Sequence, residues 1–187
     1  MSPRLSSAVL LLACDACPAM AGEDEFAFFA TARAAVDLAD PVVQSALIAA
    51  NAAHAALTEE EILALDTLWR DEIDATDKPT ISGVTDAPAP AYQRQIVEGS
   101  QGAIAEVILM DDRGLNAGIS SVTSDDWQGD EDKFLRTCAV GPTALHVGEV
   151  ELDEFTGIYV TQLSVPELEA AGQLLGAATF SLDAAKL

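Results

Sequence analysis

"AIAEVILMDDRGLNAGISSV", residues 103–122, decides the fold. Its first eight residues are an almost unbroken apolar run, the pattern of a central strand covered on both faces. Asp111-Asp112-Arg113-Gly114 is a turn, and "LNAGISSV" (115–122) reads as a second strand. Two strands joined by so short a turn make an antiparallel hairpin. The reading of the chain works outward from that hairpin.

Downstream, "EDKFLRTCAV" (131–140) has the spacing of a helix with Phe134, Leu135 and Cys138 inward, stopped by Gly141-Pro142. "ALHVGEVEL" (144–152) and "IYVTQLSV" (158–165) form a second predicted hairpin, and "GQLLGAATFSL" (172–182) supplies a fifth strand. Upstream, Asp40-Pro41 is a helix start, an N-cap followed by proline at the first helical position. Thr58 and Glu61 have capping-box spacing and open a second helix, with Ile62, Leu65, Leu68 and Trp69 on its helical spacing. Residues 75–90, with Lys78-Pro79, Ser82-Gly83 and two further prolines, read as a linker. Residues 92–98 read as one more short helix. Helices, hairpin, helix, hairpin and strand in that order describe an α+β domain built on an antiparallel sheet.

Composition narrows the function. Nine basic residues against 31 acidic ones give a net charge of −22. With no basic patch to replace phosphate counterions, nucleic acid is excluded as a partner. Such charge favours solubility and says little about fold. Alanine supplies much of the apolar content, and only 5% of residues are aromatic. The N-terminus has Arg4, an apolar run from Leu5 to Ala13, and Ala19-Met20-Ala21 before a polar stretch. That is the plan of an export signal over 1–21, with a lead-in over 22–39 and the domain over 40–187. Leu11-Leu12-Ala13-Cys14 also resembles a lipobox, so Cys14 is an alternative lipid anchor. Either reading makes the protein periplasmic. Cys138, in an apolar setting, reads as a buried thiol.

Catalysis has no signature here: no G-x-S-x-G, no Cys/His constellation and no His pair at metal-ligand spacing. The chain reads as a non-enzyme that needs no cofactor or metal. The densest segment is "TSDDWQGDEDKF" (123–134), a tryptophan among five carboxylates. Its spacing fails the EF-hand pattern, although Asp125, Asp130 and Asp132 are oxygen donors in one loop. A lid fits better. Trp127 would close over a small pocket, Gly129 would turn the chain, and Asp130 would N-cap the helix that follows. Lys133 and Arg136, three apart on that helix, are suited to an anionic ligand. Tyr159, Ser120 and Thr161 are further polar candidates, their facing left open by the two-residue strand period.

The element order and these segments resemble the PDC/Cache type of extracytoplasmic PAS-like sensor domain, in its stand-alone exported form. The resemblance runs from about residue 40 to the C-terminus. It is carried by Met110, Asp111, Gly114 and Asn116, by Thr123 to Asp125, by Trp127 to Glu131, and by "VGEVELDEFTGIYVTQLSV". Asp126 stands where that family usually has an aromatic residue, and "VPELEAAGQLLGA" is looser than its usual Pro-x-Gly turn. The resemblance implies a five-stranded sheet of order 2-1-5-4-3 with a long helix packed behind it. It implies a pocket on the sheet face beneath the segment between strands 2 and 3, for small carboxylates, amino acids, amines or purines. The function it implies is ligand sensing, with closure of 123–134 over a metabolite and the signal passed to a separate membrane receptor or kinase, or simple buffering of the metabolite. The alternative is a PAS-like interaction protein without a ligand, a homodimer joined through helices 40–74.

Overall fold

The structure, a computed structural model, describes residues 40–153 and 157–186. The expected signal peptide and the 22–39 lead-in lie outside the described residues. Four helices precede the sheet: α1 (Pro41–His54), α2 (Glu59–Glu72), α3 (Pro79–Thr85) and α4 (Pro88–Gly99). Then come β1 (Ile104–Asp111), β2 (Asn116–Ile119), the short α5 (Asp132–Leu135), β3 (His146–Val147), β4 (Glu151–Asp153), β5 (Ile158–Leu168) and β6 (Leu174–Asp183).

The first two helices start where the sequence predicts. The Asp40 carboxylate accepts from the Val42 amide at 2.8 Å, and Pro41 costs no hydrogen bond at the first position. Thr58 and Glu61 exchange backbone and side-chain bonds in a complete capping box. Val43 and Leu47, one turn apart, are the buried residues of α1. On α2 the buried stripe is Ile62, Asp66 and Trp69, whereas Leu68 is half exposed, against expectation.

The predicted linker 75–90 is instead helical. Pro79 begins α3 and Pro88 begins α4. Lys78, the N-cap residue of α3, offers no side-chain cap, but the Glu72 carboxylate of α2 accepts from the amides of Thr80 and Ile81 at 3.1 and 3.0 Å. The free N–H groups of α3 are thus satisfied from a neighbouring helix.

The sheet is antiparallel throughout, in the order β2-β1-β6-β5-β3, with β4 also on β5. The strand predicted over 144–152 is divided into β3 and β4. Taken as one interrupted strand, they give the order 2-1-5-4-3; counted separately, the sheet has six strands. The backbone of β6 pairs on both sides, and all but its first residue are buried. Alternation splits the core. Val107, Leu109, Leu163, Ala178 and Phe180 face α1 and α4. Ile108, Met110 and Ala177 take the opposite face with Phe134 and Cys138. Two helices of 14 and 12 residues stand where one long helix was expected behind the sheet. The fold class is α+β on an antiparallel sheet, as the sequence implied.

Candidate functional site

Segment 120–131 is tied down along its length. Trp69 Nε1 donates to the Thr123 carbonyl at 2.9 Å. The Asp66 carboxylate accepts from the amides of Asp126 and Trp127 at 3.0 and 3.1 Å, and Arg70 joins Asp66 to Asp125. Asn116 donates its side-chain amide to Thr123 Oγ1 and the Asp125 carbonyl. Gln128 donates to the Asp125 carbonyl and carboxylate, and its own amide donates to the Gly114 carbonyl at 2.7 Å. The acidic segment is therefore a clasp joining α2 to the β1–β2 hairpin.

Trp127 explains itself within that clasp. Its backbone bridges Leu115, and its indole Nε1 donates to the Arg113 carbonyl at 2.9 Å. The ring lies against Gly129, where an added Cβ would come within 2.3 Å of Nε1. Gly129 in turn crosses Gly114, which has a φ of +82° and where an added Cβ would stand 2.6 Å from the Gly129 Cα, so there is no room for a side chain. The ring is a strut fixing the hairpin turn. The carboxylates do not converge either: Asp125 meets Arg70 and Gln128, Asp132 meets Arg136, and Asp130 is exposed. Among the described residues no group of three metal-ligating side chains comes together.

The hairpin turn also receives the end of α1. Asp111, fully buried, accepts from the amides of Arg113 and Leu115 at 2.9 Å and meets His54 Nδ1 at 2.6 Å. That hydrogen bond holds His54 above the ordinary histidine pKa. Arg113 donates to the carbonyls of His54 and Leu57 at 3.4 and 3.1 Å, capping the α1 C-terminus.

The helix predicted over 131–140 keeps helical geometry only over 132–135, followed by turns. Its N-cap is Glu131, with no side-chain cap, so Asp130 does not play that part. Phe134 and Cys138 plug the sheet face against Ile108 and Met110. Burial raises the Cys138 thiol to about 11, which leaves it an inert core group at neutral pH. What stays open is a cleft of about 580 Å³ between α5 and the β3–β5 edge, lined by Glu131, Lys133, Arg136, His146, Glu151 and Gln162 among others. Lys133 is 8% exposed, donates to Gln128 Oε1 at 2.7 Å and pairs with Glu131 at 3.1 Å. Arg136 is 62% exposed and paired with Asp132.

Of the expected ligand residues, the structure brings Lys133 and Arg136 to this cleft. Trp127, Asp130, Ser120 and Tyr159 do not line it. Ser120 Oγ accepts from the Val107 amide at 2.9 Å. Tyr159 is 61% exposed and shares its facing with Thr161 and Leu163, whereas Val160 and Gln162 face the cleft. Thr161 donates to the Gly148 carbonyl. His146 and Gln162 line the cleft with no local signal in the sequence, because nothing near them reveals which face of β3 or β5 meets α5.

No family model and no curated protein sequence matches this chain. Solved structures do. The ligand-binding domain of the Campylobacter jejuni chemoreceptor Tlp3, in complex with 4-methylisoleucine, is 12% identical at a TM-score of 0.40, over 83% of this chain and 62% of that one. The ligand-binding domain of the Pseudomonas aeruginosa amino acid chemoreceptor PctC, in complex with GABA, is 20% identical at 0.39, over 86% and 60%. The sensor domain of the Vibrio cholerae histidine kinase DctB is 16% identical at 0.34, over 86% and 57%. All three are ligand-binding or sensor domains, and the chain spans under two thirds of each of these structures. No described helix is long and apolar enough to cross a membrane.

Proposed function

We propose that this chain is an extracytoplasmic sensor module that binds a small carboxylate-bearing metabolite in the cleft between α5 and the β3–β5 edge. The observation that carries the proposal is Lys133. A chain with nine basic residues places one of them, nearly buried, in a cleft beside Arg136 and His146. Burying a lysine is costly unless its charge is used. Here it is held by Glu131 and Gln128, partners that a ligand carboxylate can replace. Glu149 and Glu151 on the facing wall would take an amino group. The export signal read from the sequence supports a periplasmic setting.

A response follows from the same bonds. Lys133 holds Gln128, Gln128 holds Asp125 and Gly114, and Arg113 next door caps α1. A ligand that draws Lys133 from Gln128 shifts the balance between two arrangements of the clasp and α1. This stands in place of closure of the whole 123–134 segment, which Asp66 and Trp69 hold to α2. The receiver would be a separate membrane receptor or kinase.

The test is a thermal-shift screen of the full chain against carboxylates, amino acids, amines and purines. At about a hundred times its Kd a ligand adds about 2.7 kcal/mol, a rise of several degrees. The expected hit is lost in Lys133→Met and kept in Tyr159→Ala. Ile48, Leu63 and Leu68, about half exposed on α1 and α2, favour one second reading, a homodimer through these helices. A silent screen with a mass that doubles on concentration would select it.

A further inference from the structure

On the opposite side of the sheet from the cleft, among α1, α2, α3 and the start of α4, lies a larger cavity of about 940 Å³. Its walls are mostly apolar, with Ala46 and Ala50 of α1, Val84 of α3 and Ala89 of α4, and they include His54 at the end of α1 and Thr80 of α3. Yet Asn116 and Asp126, which also line it, are 2% and 5% exposed. Asn116 Oδ1 and Asp126 Oδ1 have no hydrogen-bond partner among the described residues. Buried polar atoms rarely remain so.

The chemistry of these two atoms is fixed by what surrounds them. Both donor bonds of the Asn116 amide are used, to Thr123 and Asp125, so its one unpartnered atom is the oxygen. The Asp126 amide donates to Asp66, and its carbonyl accepts from the Asn116 amide, so only its carboxyl is left. Two unpartnered acceptors therefore lie in the wall of one chamber, and a partner must bring donors. The charges around Asp126 are Asp66, Asp111 and His54; Asp66 is paired with Arg70, and Asp111 with His54. His54 also lines the cavity, its charge balanced by the buried Asp111, and in a chain of net charge −22 the wider field favours a cation.

We propose that this cavity binds a small protonated aliphatic amine, its ammonium on Asn116 Oδ1 and Asp126 Oδ1 and its chain along Ala46, Ala50 and Val84. An ammonium offers three donors and matches both acceptors. The site is separate from the cleft and does not rest on the function proposed for it. One consequence is measurable. Burial lifts the Asp126 carboxyl to about 7, so at pH 6 it is largely protonated. An ammonium beside it reverses that, and the amine displaces a proton.

The experiment is calorimetric titration of the full chain at pH 6 with n-pentylammonium, n-pentanol and pentanoate, in two buffers of different ionisation heat. Pentylammonium is expected to bind at least tenfold more tightly than either other probe and to release close to one proton. Asp126→Asn should weaken it at least tenfold and remove the proton release. Gly83→Leu, at a lining position where an added Cβ meets no atom within 4 Å, should block it without unfolding the protein. Lys133→Met should leave it unchanged, which separates this site from the cleft. Equal affinity for pentanol, undiminished binding by Asp126→Asn, or no pentylammonium binding up to about 10 mM would each overturn the proposal.

Discussion

Asp66 is where the clasp is most exposed to a single substitution. Its Oδ1 accepts from two backbone amides, those of Asp126 and Trp127, and its Oδ2 from Arg70 Nε. Replacing it with alanine leaves both amides without their acceptor. A stranded buried donor costs about 1–3 kcal/mol, so Asp66→Ala should lower stability by roughly 3–5 kcal/mol. Asp66→Asn keeps an oxygen that can accept from both amides and gives up only the pair with the half-exposed Arg70, so it should cost no more than about 1 kcal/mol. The assay is equilibrium urea unfolding. With a slope of about 2 kcal/mol per molar, the midpoint for Asp66→Ala should fall by about 2 M. Asp132→Ala is the control, since the Asp132–Arg136 pair is 60% and 62% exposed and its loss should leave the midpoint unchanged. If Asp66→Ala shifted the midpoint no more than Asp132→Ala, the 120–131 segment would not be a clasp, and the route from Lys133 to α1 would lose its physical basis.

Two further outcomes follow from the same structure. Gly114→Ala should cost at least about 2 kcal/mol, since a positive φ adds about 1–2 kcal/mol and the new methyl meets the Gly129 backbone; the urea midpoint reads it, and a neutral Gly114→Ala would refute the close crossing. Stability should also fall as pH rises. Burial lifts Asp126 to about 7 and Glu167 to about 8, so the unfolded chain ionises these groups from about pH 4 while the folded chain holds their protons. His54, raised by Asp111, works the same way: its contribution is complete below about 6.5 and is lost as pH passes its folded value. Thermal midpoints should therefore be higher at pH 5.5 than at pH 8, and Asp126→Asn with Glu167→Gln should flatten the difference.

Much of this fold is legible locally. The apolar run 103–110, the turn at 111–114 and the caps at Asp40 and Thr58 all act within a few residues, and each forms where its pattern places it. The misses share one cause. Residues 75–90 carry linker composition, yet Glu72 supplies from another helix the acceptors that α3 lacks at its own N-terminus. Leu68 has helical spacing but faces outward, because α2 turns Asp66 and Trp69 towards the clasp. Tyr159 and Gln162 differ only in parity along β5, and the partner strand, not the sequence, sets which face meets α5.

The candidate site divides in the same way. Lys133 and Arg136 stand out in the sequence because cations are scarce in this chain and these two are three apart, and both line the cleft. Trp127 stands out in the sequence among its carboxylates, but its indole partner, the Arg113 carbonyl, is 14 residues back across a backbone crossing. Asp126 gave no sign of its position in a run of carboxylates.

By itself, the sequence determined the α+β order, the antiparallel hairpins, the helix starts and the acidic character, because those depend on short-range periodicity, capping and composition. Only the tertiary structure decided that the acidic segment is a clasp, that Phe134 fills the sheet face, and that Asn116 and Asp126 meet in one cavity. Those outcomes depend on which surfaces are brought together, and burial, not residue type, then sets what each carboxylate, lysine or indole can do.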